Sequence, residues 1–209
     1  MTISAVVFDI GNVLIRWQPE IYYDAIIGVE KRKQMFADVD LHGLQDLLDL
    51  GADFKDLFYQ AAEDNPKWRH EIRDWHDNWD KLAQPEIPHS VSLLRALRAK
   101  GIPVFAFTNF GVDSFVRSEQ QFSFLKEFDR RYISGELKMA KPAANFYEAL
   151  ELDCGIAPAQ LLFTDDRTDN IATANSRGWQ THLFQHPQGW ADRLVSEGLL
   201  TTQEAGFDG

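Results

Sequence analysis

The stretch Ala5-Val6-Val7-Phe8-Asp9-Ile10-Gly11-Asn12-Val13-Leu14 begins as an unbroken apolar run and then meets a carboxylate. An apolar run without polar alternation is the pattern of a strand buried on both faces, as in a parallel sheet covered by helices. The first strand is read from Ile3 to Asp9. Two later stretches repeat the arrangement: Val104-Phe105-Ala106-Phe107 runs into Thr108-Asn109, and Leu161-Leu162-Phe163-Thr164 runs into Asp165-Asp166. Between them, Lys141-Pro142 opens a helical stretch after Gly135. In an open parallel sheet, ligands bind in the crevice beyond the carboxyl ends of the strands. A carboxylate, a hydroxyl, a lysine and a pair of acids gathered there suit the transfer of a phosphoryl group with a divalent metal.

Working outward, the second half alternates between strand and helix. Val91, Leu93, Leu94 and Leu97 mark an amphipathic helix ending at Lys100-Gly101, where glycine supplies a left-handed cap. A strand from Ile102 to Thr108 follows, then a helix over Val112 to Phe128 and a short strand at Tyr132-Ile133. Pro142 is placed as the first residue of a helix reaching Leu152, because proline suits that position. A strand from Gln160 to Asp165, a helix from Asp169 to Arg177 closed by Gly178, and a strand from Thr181 to Phe184 complete the series. Such units imply right-handed crossovers and a parallel sheet. From Trp17 to Gln84 strand-like runs vanish, and Glu30 to Asp38 and Asp53 to Glu63 read as helices. Trp68, Ile72, Trp75 and Trp79 share one helical face, which reads chiefly as internal packing and secondarily as a substrate-facing aromatic wall. The expected division is an α/β core of residues 1–16 and 85–209 and a helical insertion of residues 17–84. The polar tail from Thr201 to Gly209 is expected to fray.

Composition narrows the classes of partner. A formal charge of −11 sets the chain against nucleic acid and anionic membranes, whose phosphates would repel it. The single Cys154 excludes an intrachain disulfide and fits a reducing compartment. Asp9 interrupts the first apolar run, no basic stretch precedes it, and no run approaches the ~20 residues of a membrane span. The expectation is a soluble cytoplasmic protein.

Each polar group has an ordinary alternative. Asp9 suits a turn cap, Thr108-Asn109 a helix N-cap, and Lys141 a solvated lysine. Gly11-Asn12 forms a turn whose amides suit an anion, although no nucleotide-binding glycine motif surrounds it. Asp165-Asp166 is the sharpest feature, because adjacent carboxylates repel and a hard cation relieves them. His182 and His186 lack a third ligand and read as structural or solvated.

In their order and spacing, FDIGNVL (Phe8 to Leu14), FTN (Phe107 to Asn109), Lys141-Pro142 and FTDDRTDNI (Phe163 to Ile171) resemble the haloacid dehalogenase superfamily, most of whose members are phosphatases. The resemblance spans the chain to about residue 185. It is strongest to small bacterial members with this form of first motif, a group that includes a phosphatase acting on glucose 1-phosphate. It implies a Rossmann-like parallel sheet core with helices on both faces and an inserted small all-helical cap. It further implies that Asp9 is the nucleophile and forms an aspartyl-phosphate, and that Mg²⁺ is held by Asp9, the Gly11 carbonyl and Asp166 with help from Asp165. Thr108, the Asn109 amide and Lys141 would bind the phosphoryl oxygens of a small phosphorylated metabolite.

One departure stands out. Most phosphatases of the superfamily carry a second Asp two residues after the nucleophile, as general acid and then base; here that residue is Gly11. A positioned acid–base group is worth ~10²–10⁴ in rate. Its loss implies a slower enzyme, a leaving group that needs less protonation, or a substitute such as His42 in the insertion. Asn170 stands where many relatives have Asp, which implies weaker support for Lys141. Two rival readings are a metal-independent 2-haloacid dehalogenase and a catalytically weak phosphate-binding regulator. The first would leave Asp165-Asp166 uncompensated. Trp17, Tyr22, His42 and the tryptophan stripe give the insertion an aromatic character suited to a sugar or other small organic phosphate.

Overall fold

The computed structural model describes residues 2–206. Its strands are β1 (Ala5–Phe8), β2 (Ile15–Trp17), β3 (Ala83–Glu86), β4 (Val104–Thr108), β5 (Arg130–Ile133), β6 (Leu161–Asp165) and β7 (Gln180–Leu183). Five of them form a parallel sheet in the order β5-β4-β1-β6-β7. β1 lies at the centre, with Val7 opposite Phe105 on one side and Phe163 on the other. The chain runs outward from β1 to β4 and β5 on one side and to β6 and β7 on the other. This reversal opens a crevice at the carboxyl end of β1, between the ends of β4 and β6.

Helices α1 (Pro19–Ile27), α2 (Val29–Asp38), α3 (Leu41–Asp49), α4 (Phe54–Asp64), α5 (Arg69–Asp77) and α6 (Trp79–Leu82) lie between β2 and β3. The later helices are α7 (Pro88–Ala99), α8 (Val112–Gln121), α9 (Ser134–Leu137), α10 (Ala144–Cys154), α11 (Thr168–Ser176) and α12 (Pro187–Ser196). Alternate residues of the central strands feed opposite layers. Val6, Phe8, Val104 and Ala106 join the layer containing Leu93 and Leu94 of α7 and Trp190 of α12. Val7, Phe105, Phe107 and Phe163 join Phe146, Tyr147 and Leu150 of α10 and Trp179. The Phe107 ring lies 4.4 Å from Phe146 and 5.9 Å from Trp179. Aromatic pairs of this kind add roughly 0.5–1.5 kcal/mol to simple burial. With both faces covered, the core strands have no solvent side, which is why their sequences do not alternate.

The structure corrects several local expectations. α10 starts at Ala144, not at Pro142, because the Asn109 side chain grips the main chain of Lys141 on both sides and holds it out of the helix. The helix expected over Val112 to Phe128 ends at Gln121. Phe122 turns extended there, and a short 3-10 turn follows at Ser123–Lys126. The tail lies on the surface but is tied down as far as Ala205. Glu204 accepts from the Thr201 amide at 2.7 Å, Lys100 pairs with it at 3.0 Å, and Ala205 is buried. The remainder of the expected frayed tail lies outside the described residues.

β2 and β3 form an antiparallel ribbon that the sequence did not announce, with Ile15 opposite Glu86 and Trp17 opposite Ala83. Strands this short carry too few residues for a period to show. The tryptophan stripe is mainly packing. Trp75 stacks on Tyr23 and Phe58, and Trp68 belongs to a 3-10 turn instead of the same helix. Trp79 reaches the α8 layer, where its Nε1 donates to Ser118 Oγ at 2.9 Å.

Candidate active site

Asp9 follows β1 directly, and its amide donates to Thr164 O at 3.0 Å, so the backbone position is fixed by β6. Its carboxylate is buried and meets Lys141 Nζ at 2.9 Å. The same ammonium lies 2.7 Å from Asp165 Oδ2 and 2.8 Å from Phe107 O. Lys141 thus spends its three protons on three acceptors. Two carboxylates hold its pKa above the ordinary lysine value despite complete burial. Burial dominates at Asp9 and pushes its carboxyl up to about 7; Asp165 and Asp166 add to this, against the pull of Lys141.

Asp165 is fully buried and fully partnered. Besides Lys141, it accepts from the Arg167 amide at 2.8 Å and from Asn170 Nδ2 at 3.0 Å on both oxygens. This revises the expectation for Asn170, which supports Asp165, not Lys141. Lys141 is not weakly supported, since Asp9 and Asp165 both serve it. Among the described residues Asp166 has no cationic partner at contact distance; Asn12 Nδ2 donates to it at 3.1 Å, and burial raises its pKa. Oxygens of Asp9, Asp165 and Asp166 lie within 4.8 Å of one another. Hard oxygen donors so grouped fit a small divalent cation.

Thr108 is buried at the end of β4 and lines the same cavity as Asp9. The Asn109 side chain has its own work in the fold: its Nδ2 donates to Lys141 O at 2.9 Å, and its Oδ1 accepts from Lys141 N at 2.8 Å. Gly11 lines the cavity with open space where a Cβ would stand. Asn12 beside it has φ +54°, a conformation Asn tolerates better than most residues. Its Oδ1 accepts from Trp17 N at 3.0 Å, so one side chain ties β2 to Asp166.

The cavity has a volume of about 430 Å³. Its outer wall comes from the helical insertion, through Trp17, Trp79 and one face of α3. α3 has no counterpart among the helices expected from periodicity, although its signals are present in the sequence. Asp40 caps it through Gly43 N at 2.9 Å, and Leu41, Leu44 and Leu48 form its apolar stripe. The opposite stripe of His42, Gln45, Asp46 and Asp49 follows the i, i+3, i+4, i+7 spacing of one helical face and lines the cavity. His42 is largely exposed, and its Nε2 lies 3.1 Å from Glu20. His182 packs against Trp190, and His186 caps α12 through the Gly189 amide.

A buried acid after the central strand, a hydroxyl after its neighbour, a lysine bridging two acids, and a match of residues 3–178 to the haloacid dehalogenase-like hydrolase family coincide in one crevice. The chain belongs to that family. Among relatives of this hydrolase, the sesquiterpene phosphatase astK of Aspergillus oryzae is 24% identical over 177 residues, covering 85% of this chain and 87% of that protein. A HAD-family enzyme of Bacteroides thetaiotaomicron superposes with a TM-score of 0.72 at 21% identity, over 93% of this chain and 99% of that one. The same enzyme in complex with magnesium and inorganic phosphate gives 0.67 at 22% identity, over 88% and 95%. The L-2-haloacid dehalogenase of Xanthobacter autotrophicus, with chloropropionic acid covalently bound, gives 0.63 at 19% identity, over 98% and 87%. At these identities the structural likeness is one of fold. No helix of the described residues is long and apolar enough to cross a membrane.

Proposed function

We propose that this hydrolase cleaves small phosphate monoesters with Mg²⁺, through a phosphoryl group carried on Asp9, and that residues 17–84 act as a cap over the site. The observation that carries this reading is the grouping of Asp9, Asp165 and Asp166 oxygens within 4.8 Å of one another, with Lys141 in contact with Asp9 and Asp165 and no cation in contact with Asp166 among the described residues. Asp9, Asp166 and the Gly11 carbonyl would hold Mg²⁺, with Asp165 orienting Lys141 beside them. The ion, when bound, neutralises charge on the transferring phosphoryl oxygens.

The chain's own residues do the rest. An Asp9 oxygen attacks phosphorus, the ester P–O bond breaks, and water later displaces phosphate from Asp9. Once an Asp9 oxygen carries the phosphoryl group, as an acyl phosphate, it accepts less well, and Lys141 is then placed to donate to a phosphoryl oxygen. The Thr108 hydroxyl is a second donor at the end of β4. A relative named as a sesquiterpene phosphatase and a fold neighbour in complex with magnesium and inorganic phosphate support the same chemistry. The aromatic wall of Trp17 and Trp79 suits a small organic phosphate, a sugar phosphate among them.

Hydrolysis of 4-nitrophenyl phosphate should require Mg²⁺ and stop in excess chelator. Undiminished turnover in chelator, with halide released from 2-chloropropionate, would replace this reading with a dehalogenase.

A further inference from the structure

Gly11 offers no proton to a leaving group, yet alkyl phosphates depart poorly without one. We propose that Asp49, on the insertion helix α3, is the general acid–base of this site, protonating the ester oxygen and then accepting a proton from water. The proposal rests on the phosphatase reading above. Its ground is placement. Asp49 and Asp9 line one cavity, with Asp49 on the wall that the insertion provides.

Two close approaches seat the carboxyl end of α3 against the core. A Cβ on Gly111, just after β4, would fall 2.5 Å from Leu48 Cγ, and one on Gly51 would fall 2.6 Å from Gly135 O, just after β5. Only glycine allows either contact, and Gly51 also has φ +92°. Asp49 sits between these two contacts. Its side chain is held by a relay: Trp75 Nε1 donates to Gln45 Oε1 at 3.1 Å, which turns the Gln45 amide so that Nε2 donates to Asp49 Oδ1 at 2.9 Å.

Burial pushes the Asp49 carboxyl up to about 7, helped by the charges of Asp46 and Asp9 and opposed by Gln45 and the Gly111 amide. An acid–base group works best with a pKa near the working pH. The other titratable or charged groups facing the cavity are His42, Asp46, Lys141, Asp166 and Arg167. Lys141 and Asp166 belong to the phosphoryl site, Arg167 is paired with Asp169, His42 is paired with Glu20, and Asp46 is exposed.

The step balances. As Asp9 bonds to phosphorus and the ester P–O bond breaks, the Asp49 proton passes to the departing oxygen, which leaves as a neutral alcohol. Water then gives a proton to the Asp49 carboxylate as it attacks phosphorus. The P–O bond to Asp9 breaks, inorganic phosphate departs, and the Asp9 carboxylate and the Asp49 carboxylic acid return to their starting states.

The test compares kcat/KM for n-butyl phosphate and 4-nitrophenyl phosphate, since this constant reports steps up to loss of the leaving group. Nitrophenolate departs without a proton and butanol does not. In Asp49→Asn the butyl-to-nitrophenyl ratio should fall by about 10²–10⁴. In the native enzyme that ratio should decline as pH rises through neutrality, and in the variant it should not. Asn keeps an acceptor for Gln45 and removes a half-buried, desolvated charge, so the variant should melt no lower than the native protein at slightly alkaline pH. A ratio within about threefold of native, an equal fall for both substrates, or no butyl phosphate turnover in a native enzyme that cleaves the aryl ester would overturn the role of Asp49 and leave the phosphatase reading intact. Absence of metal-dependent aryl hydrolysis in the native enzyme would remove both.

Discussion

Asp9→Asn should reduce phosphate ester hydrolysis to background while the protein stays folded. The substitution keeps the shape of the side chain and leaves an oxygen for Lys141, now 2.9 Å from Asp9 Oδ1, but it removes the negative charge that attacks phosphorus. Stability should not suffer. The carboxylate at this position is desolvated and crowded by Asp165 and Asp166, the effects that raise its pKa. A carboxyl raised in the folded state penalises folding once pH exceeds that raised value and not below the ordinary carboxylate range. The variant should therefore melt at or above the native temperature at slightly alkaline pH and show no gain in acid. Steady-state rates and thermal melts on the same samples decide the matter, and activity within about tenfold of native would exclude Asp9 as nucleophile.

Lys141→Met should be the most damaging change to stability in the site. The ammonium is the sole cation in contact with the buried carboxylates of Asp9 and Asp165 among the described residues. Removing one partner from a buried ion pair costs about 3–5 kcal/mol. For a chain of this size each kcal/mol moves the midpoint by about 2–4 °C, so a fall of roughly 6–20 °C is expected at slightly alkaline pH. The loss should shrink as pH falls, because the orphaned carboxylates can then take up protons and shed their charge. Phosphate hydrolysis should vanish at every pH. A melting temperature unchanged at alkaline pH would mean that the acids find another counterion.

The core strands were legible because burial on both faces leaves an unmistakable mark: Ala5 to Phe8 and Leu161 to Thr164 hold no polar residue able to face water except Thr164, which is itself buried. The groups at their ends were legible because a charge there interrupts the run. What sequence reading could not supply was the traffic between distant loops. Asn109 reads as a helix cap, yet its side chain holds the main chain at Lys141, 32 residues later. Asn12 reads as a turn residue, yet it reaches Asp166. Hydrogen bonds across such separations leave no period in the chain. α3 is hidden in the sequence because its polar stripe faces a cavity and Gly51, just past its carboxyl end, closes against Gly135; such a stripe looks like any solvated face.

The ribbon of β2 and β3 has a consequence for how such a chain can change. Trp17 and Ala83 are register partners, so the polypeptide leaves the sheet layer and returns to it at a single doorway. The residues strung between those two lie outside the parallel sheet, whose strands β1, β4 and β6 place Asp9, Thr108 and Asp165. The entropy of closing a longer or shorter loop changes only logarithmically with its length. A new selectivity can accordingly be fitted by exchanging residues between the two jambs, provided an acid is kept at the place of Asp49, while Asp9, Thr108, Lys141 and Asp165 behind the door keep their alignment.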